Sequence, residues 1–128
     1  GIEVKDINWL KDDYLNFLQQ KKNKSKTTVK ELQEEERIDE ANLEKIRLNV
    51  IEIFSKIFDI CNSDNPVDLK EKYIGYFNKI TKPWYLNKKK ATEFHDEKEA
   101  IIEEIKIQEA ESLKSKFEYY YQMEKIQE

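Results

Sequence analysis

The sequence predicts an all-α fold: an irregular helical bundle of about four helices, two long and two short, with an overhanging long C-terminal helix. The chain has only two Gly and two Pro in 128 residues, too few for the frequent turns of a β-sandwich or barrel. Charged residues reach 39%, yet aromatic and branched apolar residues recur at helical spacing, which distinguishes the chain from disordered sequences. This length fits one domain, residues 1–128.

The first two predicted helices span residues 6–21 and 28–62. The first begins at Asp6, a residue that caps free helix amides. The sequence QKKNKSKT that follows has no apolar side chain, which is typical of a solvated connector. Thr28 and Glu31 have the spacing of a capping box and predict the start of the second helix. Its apolar residues follow a 3.6-residue period: Leu43, Ile46, Val50, Ile53, Phe54, Ile57, Phe58 and Cys61.

The third and fourth predicted helices span residues 65–81 and 90–126. Asn65 followed by Pro66 combines a cap with the residue best suited to a first helical turn. The apolar and aromatic stripe of this helix consists of Leu69, Tyr73, Tyr76, Phe77 and Ile80. Pro83 disfavours helical geometry in the residue before it, so we expect the third helix to end there and PWYLNKKK to form a second connector. The fourth helix has a broad apolar arc: Phe94, Ile101, Ile102, Ile105, Leu113, Phe117, Tyr120 and Met123.

Three residues interrupt these patterns. Glu109 and Lys116 fall inside the apolar arc of the fourth helix. Either the helix bends or slides off its support there, or both charges face a groove in which polar groups are satisfied. Gly75 lies inside the third helix, where it either permits close packing or is simply tolerated at a cost of about 1 kcal/mol relative to Ala.

The chain lacks the residues of common catalytic and metal sites. His95 is the only histidine and Cys61 the only cysteine, which is too few for a di-iron bundle or a structural zinc site. We therefore expect no metal, no cofactor, no small-molecule substrate and no enzymatic activity. One alternative is an enzyme in which His95 acts as a general base beside Glu99, four residues further along a helix; the other interpretation is a solvated histidine. Cys61 is expected in the core.

A nucleic-acid-binding accessory domain is the main alternative function. The connectors 21–30 and 82–90 are rich in lysine, and Trp84 with Tyr85 offers a stacking surface for single strands. The net charge of −4 and the scarcity of Arg argue against nucleic acid as the partner. Trp84 is otherwise expected to plug the end of the bundle. Candidate phosphate or nucleic-acid contacts in this alternative are Lys21, Lys22, Lys24, Lys26, Lys88, Lys89, Lys90 and Trp84.

The leading hypothesis is a non-enzymatic helical module for protein–protein interaction or self-association. Overlong helices would leave the apolar, aromatic C-terminal turns without cover, and such surfaces mark interaction sites. Aromatic and Met side chains supply a large contact area at modest entropic cost. The predicted partner is another protein or a second copy of the chain, as in a homodimer, and the predicted contact residues are Phe117, Tyr120, Tyr121 and Met123.

The sequence also predicts a cytoplasmic protein that does not bind membranes. No apolar run approaches the roughly 20 residues of a membrane span, and the predicted long helices have acidic flanks. The first ten residues do not resemble a secretory leader, and a single cysteine forms no internal disulfide. The first residue is Gly1 and not Met, which suggests a cleavage scar or a fragment of a longer protein.

Overall fold

Residues 7–126 fold into four helices joined by short connections. The computed structural model describes residues 7–126, and their side chains as far as Met123. Within that range there is no strand, and the helices are α1 (Ile7–Glu34), α2 (Ile38–Ile60), α3 (Pro66–Glu93) and α4 (Glu97–Ile126). The predicted all-α bundle of four helices is confirmed. The predicted cap at Asp6 lies outside the described residues.

The first predicted connector is wrong, because residues 21–28 are helical and α1 continues to Glu34. These turns have few apolar side chains, but the small side chain of Ser25 is buried, and its hydroxyl lies 3.4 Å from a carboxylate oxygen of Glu44 on α2. Thr28 does not cap a helix, since its hydroxyl donates to the carbonyl of Lys24 one turn earlier. Packing against α2 therefore supports turns that the local sequence alone does not favour.

The two hairpin turns have the same backbone geometry, and neither contains a glycine. Glu36 and His95 occupy the left-handed region, with φ of 60° and 57°. In each turn, the amide of the next residue donates to a carbonyl five positions earlier, which is the Schellman ending of a helix. Glycine is the usual sequence signal for this ending, so its absence concealed both turns. The second helix consequently begins at Ile38 and not at residue 28.

The second predicted connector is also wrong, because α3 continues through Pro83 to Glu93. Proline removes one backbone hydrogen bond and costs a helix interior about 3 kcal/mol or more. Side chains on both sides of Pro83 pack into the bundle: Thr81 is buried, and the half-buried Trp84 packs edge-on against Phe54 with ring centroids 6.4 Å apart. This packing holds the helix together across the proline.

The helices are similar in length, with 28, 23, 28 and 30 residues, so the predicted division into two long and two short helices is wrong. They measure about 35 to 45 Å at 1.5 Å per residue. The predicted overhang of the C-terminal helix is not observed as far as Tyr121. Side chains of α4 are buried as far as Phe117 and Tyr121, because the other helices are long enough to cover them.

The chain runs up and down through two antiparallel hairpins, α1/α2 and α3/α4. Contacts between the hairpins are mostly made by α2 and α4, which run parallel as a central pair, and α1 and α3 lie on the flanks. Both hairpin turns, 35–37 and 94–96, lie at one end of the bundle, which we call the turn end. The α2–α3 connection, residues 61–65, lies at the opposite end.

Aromatic rings fill the core at the end opposite the turns. The hydroxyls of Tyr14 and Tyr73 lie 2.8 Å apart and are buried, and each also reaches a backbone carbonyl: Leu113 for Tyr14 and Phe54 for Tyr73. The two hydroxyls have two protons for these three contacts, so at any time one of the three contacts is without a proton. This pair links all four helices. The rings packed around it include Phe58, Phe77 and Phe117.

The sequence correctly located most core residues of α2 and α3 and fewer of those in α4. In α2 and α3 the buried residues include the predicted Val50, Phe54, Phe58, Cys61, Leu69, Tyr73 and Phe77. The cap formed by Asn65 is confirmed, since its side chain accepts the amides of Val67 and Asp68. In α4 the buried face is shifted from the predicted arc, and only Ile105, Leu113 and Phe117 of the arc are buried. Buried residues outside that arc are Glu103, Ile107, Ala110 and Tyr121.

Gly75 is tolerated and does not serve close packing. A Cβ atom built at this position meets no atom within 4 Å, and its φ is not in the left-handed region. We therefore expect Gly75→Ala to raise the free energy of unfolding by about 0.5 to 1 kcal/mol, because Ala loses less backbone entropy in a helix. Urea denaturation of both proteins measures this difference. A loss of stability would show that the position is crowded.

Candidate protein-interaction surfaces

His95 lies in the turn between α3 and α4, so the predicted pairing with Glu99 on one helix is wrong. Its backbone is left-handed and its side chain exposed, and α4 begins only at Glu97. Asp96 caps α4, since its carboxylate accepts the amide of Glu99 at 3.1 Å. Because His95 precedes the cap, it is not one helical turn from Glu99. The arrangement on which the general-base hypothesis rests, with His95 and Glu99 one turn apart on the same helix, is therefore not present.

Cys61 and the acidic side chains do not assemble into a metal site within the described chain. Residues 7–126 contain no group of three or more His, Cys, Asp or Glu side chains that could hold a metal ion. Cys61 is buried in the aromatic core, as predicted, and this burial raises the pKa of its thiol. A buried thiol with a raised pKa is a poor nucleophile, so the residue contributes to packing.

The four predicted interaction residues divide between the core and the surface. Phe117 is fully buried and Tyr121 is buried, so neither is accessible to a partner in this structure. Tyr120 is half-buried, and Met123 is exposed. The prediction failed for the first two because they lie four residues apart on the side of α4 that faces the core. The other two lie on the adjacent, outward side.

The exposed part of this region forms an aromatic surface between α1 and α4. We define the aromatic surface as Phe17, Lys116, Tyr119, Tyr120 and Met123. Phe17 and Tyr120 meet at a centroid distance of 6.5 Å, and Tyr119 contacts Tyr120 at 5.7 Å. A shallow groove of about 460 Å³ runs between the helices here. Tyr119 is 52% exposed and was not among the predicted contact residues.

Lys116 is held within the aromatic surface by three rings. Its ammonium nitrogen lies 5.8 Å from the centroid of Phe17, 4.9 Å from Tyr119 and 5.2 Å from Tyr120. Each distance is within the range of a cation–π contact. Glu109, the other charge inside the predicted arc, forms an ion pair of 2.9 Å with Lys21 on α1. The charges of Glu109 and Lys116 therefore both have partners between α1 and α4. This agrees with the second alternative from the sequence, in which the two charges face a groove that satisfies polar groups.

The predicted phosphate contacts lie on two separate helices. Lys21, Lys22, Lys24 and Lys26 lie on α1, while Lys88, Lys89 and Lys90 lie on α3, on the opposite flank of the bundle. Lys21 pairs with Glu109, and Lys88 pairs with Glu104 of α4. The structure thus does not bring the two lysine sets together into one basic surface.

Trp84 packs against the core and does not extend a basic surface. Besides its contact with Phe54, its ring is approached by the ammonium group of Lys106, 5.6 Å from the centroid. Tyr85 is exposed, but its hydroxyl donates to Glu111 at 3.0 Å. Trp84 is therefore engaged by the core and by Lys106, which leaves Tyr85 as the exposed ring of this pair for base stacking.

A second surface lies at the turn end, between the first turns of α2 and α4. We define the α2/α4 groove by its apolar residues Leu43, Ile46, Ile101 and Ile102, which line a depression of about 520 Å³. Ile101 is 52% exposed, although the sequence places it in the core stripe. Phe94, also predicted to be in that stripe, is 78% exposed in the adjoining turn. The sequence could not distinguish these residues from core positions.

Glu103 is a fully buried acid on α4. Its Oε1 accepts from Lys106 at 3.0 Å, while Oε2 has no hydrogen-bond donor among the described residues when Glu99 is ionised. Hydrogen bonding to Glu103 raises the pKa of the nearby Glu99, with burial adding to the effect. A buried carboxylate with one unpaired oxygen weakens the folded state. Nothing in the sequence distinguished Glu103 from the exposed acids around it.

Comparison with known proteins gives no functional assignment. No family model, no curated protein and no solved structure matches this chain. Within residues 7–126, none of the four helices combines the length and the apolar character that a membrane crossing needs. The chemistry of the two surfaces is therefore the basis on which a function is inferred.

Proposed function

We propose that this chain is a non-enzymatic helical interaction domain that self-associates through the aromatic surface. The observation that supports this proposal is the exposure of Tyr119 and Met123 beside the half-buried Tyr120, on consecutive turns of one helix face. Tyr and Met provide large, adaptable contact area and are enriched at protein interfaces. Two of the four residues predicted from sequence, Tyr120 and Met123, belong to this surface.

Charge favours a second copy of the chain as the partner at the aromatic surface. The segment 111–121 of α4 carries two acidic and two basic residues, so two copies meet there without a net like-charge penalty. The surface also contains both halves of a cation–π pair, Lys116 and the tyrosine rings. In a two-fold symmetric dimer each copy offers its cation to the rings of the other, as a self-complementary interface requires.

Nucleic-acid binding, the alternative function, has weaker support. The lysines lie on opposite flanks, two of them are paired with glutamates, and Trp84 packs on the core. A non-specific nucleic-acid site normally combines a continuous basic groove with exposed rings. Nucleic-acid binding would require the separated lysines to come together, whereas the residues proposed for self-association already lie side by side on one surface.

The oligomeric state in solution tests this proposal. We expect light scattering over micromolar to millimolar concentrations to show a mass rising from the 15.5 kDa of one chain toward twice that value. Tyr119→Glu places a charge in the dimer interface and should weaken association at least tenfold, roughly 1.4 kcal/mol or more. Because Tyr119 is exposed, this change leaves the core intact.

Tyr76→Glu is the matched control. Tyr76 is an exposed tyrosine on α3 and lies outside the aromatic surface, so its replacement should leave the association unchanged. Equal weakening by both variants would mean that the effect is one of general charge. A monomer at every concentration would rule out self-association, and circular dichroism of each variant checks that the helices are retained.

A further inference from the structure

The α2/α4 groove has a different chemistry from the aromatic surface. Its floor is made by branched aliphatic side chains, and its edges carry the acidic Asp39 and Glu97 with one lysine, Lys98. The two segments that form this end of the bundle, 35–40 and 93–99, each contain four acidic residues and one Lys or Arg. Arg37 is also committed to Glu35 and Glu40. The groove is therefore apolar at its floor and acidic at its margin.

Helix dipoles do not cancel this negative charge. The N-terminal ends of α2 and α4 lie at the groove, but each contributes only about half an elementary positive charge, which is less than the net negative charge of either acidic segment. The lysine-rich turns of α1 and α3 lie on the flanks and do not line the groove. The formal charges of the two acidic segments therefore determine which partner is attracted.

We infer that the α2/α4 groove binds an amphipathic helix of another protein that has an apolar stripe flanked by Lys or Arg. A helix laid in a groove buries apolar side chains at three- and four-residue spacing, and its basic flanks would meet the acidic margin. A second copy of this chain is disfavoured here, because its own turn end carries the same negative charge. In the described residues, the lysine-rich helical turns are already packed within their own hairpins and are not available as a ligand.

Exposed apolar side chains beside the groove extend the surface that such a helix would cover. Phe94 projects from the adjoining turn, and Ile38 begins α2 with 54% of its side chain exposed. Neither side chain is needed for the core. Together with Ile101, they place three large apolar residues at an acidic end of the molecule, where solubility alone would favour polar residues.

Binding of synthetic peptides tests this inference. The probes are three labelled peptides of about 18 residues, long enough to form a helix on binding. One has a leucine stripe with lysine flanks, the second has glutamate in place of lysine, and the third has the lysine composition with the stripe scrambled. By fluorescence anisotropy, we expect the first to bind at least tenfold more tightly than either of the others. Equal binding of the scrambled peptide would indicate charge attraction alone and overturn the inference.

Two variants in the groove locate the binding site. Ile101→Asp should weaken binding of the lysine-flanked peptide at least tenfold, whereas Lys98→Glu should strengthen it because it adds to the acidic margin. Tyr119→Asp, in the aromatic surface, should have no effect. The inference fails if Ile101→Asp binds the peptide like the parent chain. It also fails if Ile101→Asp, and not Tyr119→Glu, abolishes self-association, since a second copy would then be the occupant of the groove.

Discussion

Phe117→Ala is expected to lower the free energy of unfolding by about 3 to 5 kcal/mol, the usual cost of removing a fully buried aromatic ring. Phe117 is completely buried and lies at the centre of the aromatic core. Its ring centroid is 5.3 Å from that of Tyr14 and 5.0 Å from that of Tyr73. The cavity left by alanine separates α4 from the tyrosine pair that links all four helices.

A loss of this size is a large part of the stability of a domain, which is typically 5 to 15 kcal/mol. Urea denaturation followed by circular dichroism measures it. The matched control is Tyr119→Ala, two residues further along α4 and half exposed, which should change stability by about 0.5 kcal/mol or less. Similar effects of the two variants would show that the C-terminal half of α4 is not packed as described.

Glu103→Gln is expected to raise the free energy of unfolding at neutral pH by roughly 1 to 3 kcal/mol. The change removes the buried carboxylate of Glu103, whose Oε2 is unpaired. It also supplies an amide donor next to the carboxyl of Glu99. The lost partner, Lys106, is partly exposed and can be hydrated instead. A clear loss of stability would mean that the Lys106–Glu103 ion pair outweighs the unpaired oxygen.

The pH dependence of the same variant gives an independent check. Hydrogen bonding to Glu103 raises the pKa of Glu99, so Glu99 holds its carboxyl proton more tightly in the folded chain than in the unfolded chain. The contribution of this group to stability is therefore greatest at low pH, and it is lost as pH rises through the raised pKa, above the ordinary glutamate value of about 4.3. Stability of the parent relative to Glu103→Gln should accordingly fall between acidic and neutral pH.

Glu104→Gln is a neighbouring control with the opposite sign. Hydrogen bonding to Lys88 lowers the pKa of Glu104, so the stability it contributes is present above the ordinary glutamate pKa and is lost as pH falls through the lowered value. Removing this carboxylate should therefore reduce stability at neutral pH and have little effect in acid. If both glutamine variants changed stability in the same direction, burial and pairing would not explain the difference between the two glutamates.

Sequence periodicity was sufficient to predict an all-α bundle of four helices and most of its core in α2 and α3. In these helices the apolar residues at helical spacing are also the buried residues, so the sequence pattern and the core-facing side coincide. Asn65 and Pro66 gave a local signal for the start of α3, and that signal is satisfied by hydrogen bonds within the same turn. Where local preference and tertiary packing agree, the sequence pattern is reliable.

The helix boundaries were wrong where tertiary packing opposed local preference. The lysine-rich turns of α1 and the proline in α3 both favour a break, but neighbouring helices hold these turns in place. The actual turns contain Glu36 and His95 in a left-handed conformation, which non-glycine residues rarely adopt. With no glycine at either turn, the chain offers no local marker for them.

The interaction surfaces were only partly predictable, because the orientation of α4 depends on three neighbouring helices. A sequence pattern shows that Phe117, Tyr120, Tyr121 and Met123 are apolar, but it does not show which of them face the core. The structure assigns Phe117 and Tyr121 to the interior and leaves Tyr120 and Met123 accessible to differing degrees. The α2/α4 groove was not predicted for the same reason, since Ile101 and Ile102 resemble core residues in the sequence.

A dilution series of the isotopically labelled chain, followed by amide NMR spectra, tests most directly whether the aromatic surface mediates self-association. The account predicts that amide signals of residues 112–123 on α4, and those around Phe17 on α1, move with concentration. Signals of residues 38–46 and 97–102, which form the α2/α4 groove, should stay fixed over the same range. Shifts confined to those two groove segments, or no concentration dependence at all, would contradict it.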